Sequence, residues 1–182
     1  MSRSFLFLHG WRNLRPAGHW QYQSAMNLRA RGENVEYPAM PLPDTPQLEE
    51  WLSIFESSWE RMEGERIVVA HSLGTTLWFH AAARGFVADR VLLVAPAGPT
   101  FLKEEKLVSS FASLPTKLTD PKWRVVCSDV DPFCIEGAVN WLAPEDHNLI
   151  SGGGHLALSD GYGDWPALLQ WCDKPETRIV GR

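Results

Sequence analysis

Two kinds of apolar pattern alternate along the chain. Short apolar runs stand at residues 4–8, 66–70, 90–95 and 123–127, the first unbroken from Phe5 to Leu8 and the other three carrying β-branched Val or Ile, with two weaker and more polar ones at 34–37 and 148–150. Runs of this length bounded by Gly, Pro or Asn signals read as strands, and an unbroken run reads as a strand covered on both faces. Between them the spacing changes to three and four. Leu48, Trp51, Leu52, Phe55, Ser58, Trp59 and Met62 make the clearest case, an amphipathic helix ending near Gly64 with Asp44 or Thr45 as its expected cap. Residues 16–31 carry a partial face of Trp20, Ala25, Met26 and Leu28 with Gly32 as the stop signal, and helices are expected over 74–83, 135–142 and 162–172. Residues 97–118 hold mixed charges, a weak helical stretch around 104–111 and no strand, so they are expected to run over the site, where they could act as a small lid; the sequence leaves that open. The tail from Lys174 is expected to be loosely held.

Near-strict alternation of strand and helix predicts an α/β fold, about six parallel strands with helices on both faces. A length of 182 residues suits a single domain over 1–182 with a core that needs no disulfide or metal. Three cysteines, Cys127, Cys134 and Cys172, are odd in number and lack Cys-x-x-Cys spacing, which argues against a disulfide framework and against zinc. A net charge of −5 without a basic cluster excludes a nucleic-acid footprint. The apolar run at 5–8 is too brief for a signal peptide or a membrane span, so a cytoplasmic protein without membrane attachment is expected. Nine tryptophans read mostly as buried anchors, with Trp11 the exception because it follows a strand end. The sequence leaves the oligomeric state open.

The candidate chemistry begins at Ala70-His71-Ser72-Leu73-Gly74, a serine between a buried strand and a helix with small residues two before and two after it. That is the layout of a nucleophile elbow, in which a turn sharp enough to lift the hydroxyl clear of the sheet leaves room only for small flanks. The usual pattern has glycine at both flanks, and Ala70 departs from it at one. Serine is a weak nucleophile at its own pKa, so it needs a histidine to take its proton and a carboxylate to orient the imidazole. On this fold the acid and then the histidine follow the serine, each on a loop after a later strand. Asp131 and His155 meet that order, and Gly152, Gly153 and Gly154 would let the loop bring His155 across. Asp129 lies closer to the strand end and is the rival acid; Asp131 precedes Pro132, which stiffens its turn. His147 points to the wrong end of the sheet, His71 reads as a packing or hydrogen-bonding residue, and Glu136 and Asp146 as solvated surface charges. Backbone amides of Leu73, at a helix N-terminus, and of Trp11, after the first strand, are the candidate oxyanion donors. His9, Gly10 and Trp11 occupy the loop expected to contact substrate.

Four stretches resemble a known family: His9-Gly10-Trp11 with Gly18-His19-Trp20-Gln21, Ala70 to Gly74, Ser128-Asp129-Val130-Asp131-Pro132-Phe133, and Gly153-Gly154-His155-Leu156. They are similar to the small α/β-hydrolases related to retinoblastoma-binding protein nine and the bacterial YdeN-like proteins. The resemblance implies a minimal α/β-hydrolase fold lacking the first strands of the full one, serine hydrolase activity, no cofactor, and Ser72, Asp131 and His155 as the triad, which supports Asp131 over Asp129. The Leu-x-Cys-x-Glu segment that the family's namesake uses toward the retinoblastoma protein has no match, since Pro132-Phe133-Cys134-Ile135-Glu136 lacks the leucine. The expected partner is a small-molecule ester, with a thioester or amide as neighbouring chemistry. The alternative is a protein-interaction module on a hydrolase scaffold with an idle triad, and a further one is a lyase or peroxidase variant on the same fold.

Overall fold

The computed structural model describes residues 2–182; Met1, where the expected domain begins, lies outside them. Six strands are present among these residues: β1 (Arg3–Leu8), β2 (Asn34–Glu36), β3 (Glu65–His71), β4 (Arg90–Val94), β5 (Trp123–Ser128) and β6 (Asp146–Ile150). They form one sheet in the order β2-β1-β3-β4-β5-β6, every neighbouring pair parallel, as the alternation predicted. The helices are α1 (Trp20–Ala30), α2 (Leu48–Trp59), α3 (Leu73–Ala83), α4 (Pro99–Glu104), α5 (Ala138–Leu142) and α6 (Pro166–Asp173), with 3₁₀ turns at Lys106–Phe111 and Leu158–Asp160.

The unbroken apolar runs follow from burial on two sides. Alternate residues of a strand point to opposite faces. Leu6, Leu8, Val68, Ala70, Val91, Leu93, Val125 and Cys127 pack with Trp51, Phe55, Trp78 and Phe79 of α2 and α3. Their neighbours Phe5, Phe7, Ile67, Val69, Leu92, Val94 and Val126 pack with Trp20 and Leu28 of α1 and Leu168 and Trp171 of α6. The chain leaves β1 for β2 on one side and returns to β3 on the other, so the order reverses at β1 and β3. A crevice opens at such a switch point beyond the strands' carboxyl ends.

Several local expectations change in the structure. The cap of α2 is Gln47, not Asp44 or Thr45, because the Thr45 N–H closes a turn on the Leu42 carbonyl at 2.9 Å and the Leu48 N–H turns to Ser110 Oγ at 3.2 Å. Helix α5 starts at Ala138, after Gly137 at φ 73°, and leaves Ile135 exposed. Helix α6 starts at Pro166, whose ring sets φ for a first helical residue and whose missing N–H costs nothing there. The tail is docked: Ile179 is buried, its N–H donates to Asn148 Oδ1 at 2.9 Å, and Trp165 Nε1 donates to the Val180 carbonyl at 2.7 Å. The excursion after β4 is also held down, by Leu102, Val108 and Phe111 buried against the α2 and α3 layer. It therefore forms a packed wall beside the crevice.

Candidate active site

Strand β3 ends at His71 and helix α3 begins at Leu73, so a single residue makes the whole turn. Ser72 adopts φ 54° and ψ −124°, a region that side chains disfavour and that surrounding contacts must impose. Its N–H donates to the Val94 carbonyl at 3.0 Å, and its own carbonyl accepts the Thr75 N–H at 2.9 Å and the Thr75 hydroxyl at 2.7 Å. The small flanks have steric causes. Ala70 is fully buried in the ladder between Leu8 and Leu93, and a Cβ on Gly74 would collide with the carbonyls of Leu8 and His9. Gly10 shares the constraint: a Cβ there would sit 2.7 Å from Ser72 Cβ and 3.2 Å from Ser72 Oγ.

Three side chains from distant parts of the chain meet above this turn. His155 Nε2 lies 2.8 Å from Ser72 Oγ, and His155 Nδ1 lies 2.8 and 2.9 Å from the two oxygens of Asp131. An ionised carboxylate only accepts, so Nδ1 carries the proton and Nε2 presents its lone pair to the serine hydroxyl. Asp131 and His155 are both nearly closed off from solvent, 7% and 8% exposed, which strengthens their mutual hydrogen bond. The rival acid is elsewhere. Asp129 is exposed and accepts the Gly152 N–H at 2.7 Å and the Ser151 hydroxyl at 2.8 Å, contacts that hold its carboxyl below the usual range. It braces the turn from which the His155 loop departs.

His9 needs a correction. It was expected to touch substrate, but its ring is buried between Tyr37 and Trp51, with centroids 6.5 and 5.4 Å away. Its Nε2 accepts the Met40 N–H at 3.0 Å, so Nδ1 donates to the Gly10 carbonyl at 2.9 Å, and burial lowers its pKa to about 4. His9 thus braces the loop whose neighbours Gly10 and Trp11 line the crevice. Within the Gly18 to Gln21 stretch, the polar side chains hold the start of α1 and the end of β1. His19 caps α1 through Nδ1, which accepts the Gln21 N–H at 3.1 Å, and the Gln21 amide donates to the Leu8 carbonyl at 2.9 Å.

The crevice is a cavity of about 660 Å³ that reaches Ser72 and His155. Its wall is a row of rings: Trp11 against Phe101 at 5.8 Å, Phe101 against Phe133 at 5.1 Å, and Phe133 over the His155 imidazole at 4.5 Å. Leu14 and Leu158 continue this apolar lining. Trp11 is held by its indole N–H on the Asp44 carbonyl at 2.9 Å, with the Arg12 guanidinium 4.0 Å above its ring. Phe101 was not singled out by sequence, since nothing local marks it. It reaches the cavity from α4, and that helix is tied to the acid loop by Glu136, whose Oε1 accepts the Thr100 N–H at 2.8 Å. Glu136 is therefore not a solvated surface charge; its other oxygen is buried against Gly98. Among the described residues no group of three His, Cys, Asp or Glu side chains is placed to hold a metal ion, and no helix is long and apolar enough to cross a membrane.

Comparison with known proteins agrees with this architecture. A family model described as serine hydrolase matches residues 5–173. The crystal structure of the ydeN gene product from B. subtilis superposes with a TM-score of 0.76 at 20% identity, covering 94% of this chain and 97% of that one. Alpha/beta hydrolase domain-containing protein 10 from mouse superposes at 0.70 with 16% identity, covering 94% and 88%. A chain described with LipS and LipT, two metagenome-derived lipolytic enzymes, superposes at 0.63 with 12% identity, covering 94% and 92%. At these identities the likeness establishes the α/β-hydrolase fold. No curated protein sequence matches this one.

Proposed function

Since this chain belongs to the serine hydrolase family and is a hydrolase, we propose that it cleaves small carboxylic esters through an acyl-enzyme on Ser72. The observation that carries the reading is the chain of contacts from Ser72 Oγ through His155 to Asp131 at 2.8 to 2.9 Å, with Ser72 and His155 lining the cavity. In the first step His155 Nε2 takes the Ser72 proton as Oγ bonds to the ester carbonyl carbon, and Asp131 stabilises the imidazolium that results. The carbonyl oxygen becomes an anion. Two backbone donors are available to it: the Leu73 N–H, first in α3 and so without an intrahelical acceptor, and the Trp11 N–H, which meets no protein acceptor among the described residues. The tetrahedral centre collapses as His155 returns the proton to the leaving alkoxide. Water then repeats the sequence on the acyl-enzyme, releasing acid and free serine.

The cavity supports an uncharged substrate of modest size. Its volume lies within the range of small-molecule sites, and its ring-lined wall favours apolar groups over charged ones. Thioesters and amides would follow the same steps, amides more slowly because an amine is the poorer leaving group. Lipolytic activity, named for one structural neighbour, belongs to the same reaction class. A fluorophosphonate probe is expected to label the wild type and spare Ser72→Ala, and p-nitrophenyl esters of increasing acyl length are expected to turn over with an optimum set by the ring-lined wall. Equal labelling of both proteins removes Ser72 as nucleophile. Labelling without turnover of any ester favours an interaction module on a hydrolase scaffold.

A further inference from the structure

The loop that delivers His155 is built from residues that resist order. It leaves β6 through Gly152, Gly153 and Gly154, two of them at positive φ, and Leu156, directly after the histidine, also sits at φ 52°. Glycines lose the most conformational freedom on folding, and a left-handed Leu costs further free energy. An imidazole on such a segment would sample many positions relative to Ser72. Yet its Nε2 must stay within hydrogen-bonding reach of Oγ.

Two ring N–H groups hold the backbone at this point. His71 Nε2 donates to the His155 carbonyl at 3.0 Å, and Trp20 Nε1 donates to the Leu156 carbonyl at 2.9 Å. Both side chains are buried, and buried carbonyls are costly to leave without a donor. The two donors come from separate elements: His71 ends β3 and Trp20 begins α1. Their rings meet edge to face at 5.6 Å, so they form one unit beneath the loop. Along the same stretch, Asp160 Oδ2 accepts the His155 and Ala157 N–H groups at 3.1 Å each. His71 is also the residue immediately before Ser72, so one rigid strand end carries the serine and grips the backbone of its partner.

Building on the assignment of Ser72 as nucleophile and His155 as base, we propose that His71 and Trp20 are positioning residues. Their N–H groups clamp two successive carbonyls of the loop and hold His155 Nε2 on Ser72 Oγ. Neither touches the reacting atoms. Packing alone would make ring bulk sufficient, whereas the clamp needs the N–H.

Two variants remove the N–H and keep an aromatic ring, His71→Phe and Trp20→Phe; His71→Gln keeps an amide N–H where Nε2 stood. On the full chain, with p-nitrophenyl acetate as substrate, both Phe variants are expected to lose about ten- to a hundredfold in kcat with KM changed by less than about twofold. His71→Gln is expected to recover most of that loss, and the double Phe variant to be no worse than the poorer single one. Trp165→Phe, a buried indole that packs on Trp20 but bonds the tail, serves as the size control and is expected to retain kcat. Amide hydrogen exchange at residues 153–157 reads the clamp whether or not Ser72 reacts, and is expected to quicken in both Phe variants. Wild-type kcat with unchanged exchange in folded Phe variants overturns the proposal, as does a His71→Gln protein as impaired as His71→Phe. Should His71→Phe not fold, Trp20→Phe and His71→Gln decide. Faster exchange in a protein whose Ser72 never labels supports the clamp while removing the nucleophile assignment.

Discussion

Adding one methyl group at Gly10 tests how closely the first-strand loop is fitted to the serine. The Cβ of Gly10→Ala would stand 2.7 Å from Ser72 Cβ, where ordinary contacts begin at 3.4 Å, so something must move by about 0.7 Å. Neither side yields easily. Ser72 is pinned by the Val94 carbonyl and by Thr75, and the Gly10 carbonyl is held by the His9 ring, itself fastened to the Met40 N–H. The displacement therefore falls on Ser72 Oγ, already 3.2 Å from the added carbon, and lengthens its 2.8 Å contact with His155. A misplacement of this order costs up to about a hundredfold in rate, or about 3 kcal/mol of activation free energy. Overpacking adds about 1–3 kcal/mol of lost stability. Gly18→Ala is the control, because a Cβ there meets only Leu158 methyls at 3.5 Å, an ordinary contact. The assay is kcat/KM on p-nitrophenyl acetate beside thermal unfolding of both variants. A folded Gly10→Ala protein within about threefold of wild type would refute the argument that loop and elbow share this space.

Asp131→Asn is expected to lower kcat by about 10⁴ with KM little changed, since an amide cannot favour the required imidazole tautomer, while Asp129→Asn costs less than about tenfold; a reversed order would exchange their roles. Acid is expected to destabilise the fold before the ordinary carboxylates titrate. Burial lowers His9 and His19 to about 4 and His71 well below its ordinary value, so between about pH 6.5 and 4 the unfolded chain binds protons that the folded chain refuses. The stability from His9 and His19 is thus complete above about pH 6.5 and falls as pH drops toward 4, by about 3 kcal/mol for each, which is a large share of a typical domain's stability. Urea midpoints at pH 7 and pH 5 measure it, and an unchanged midpoint would contradict neutral burial of these rings.

The sequence by itself determined what depends on local pattern. Unbroken apolar runs announced strands covered on both faces, because only such strands can spare their polar alternates. The small residues around Ser72 announced a sharp turn, and the order of serine, acid and histidine placed each candidate after its own strand. Tertiary structure decided what depends on which polar atom meets which across the chain. The carboxylates of Asp129 and Asp131 stand two residues apart and look alike in sequence, yet one takes the Gly152 N–H and the other His155. His9 was read as a substrate contact from its place after a strand, and only packing showed its ring spent on the Met40 N–H. Glu136 was read as a solvated charge and the tail as loosely held because charge and terminal position usually mean that; their partners, Thr100 and Asn148, lie over thirty residues away. The grip of Trp20 on Leu156, 136 residues on, has no sequence signature at all. Periodicity and turn chemistry are short-range properties, and hydrogen bonds between distant buried groups exist only once the sheet has brought their strands together.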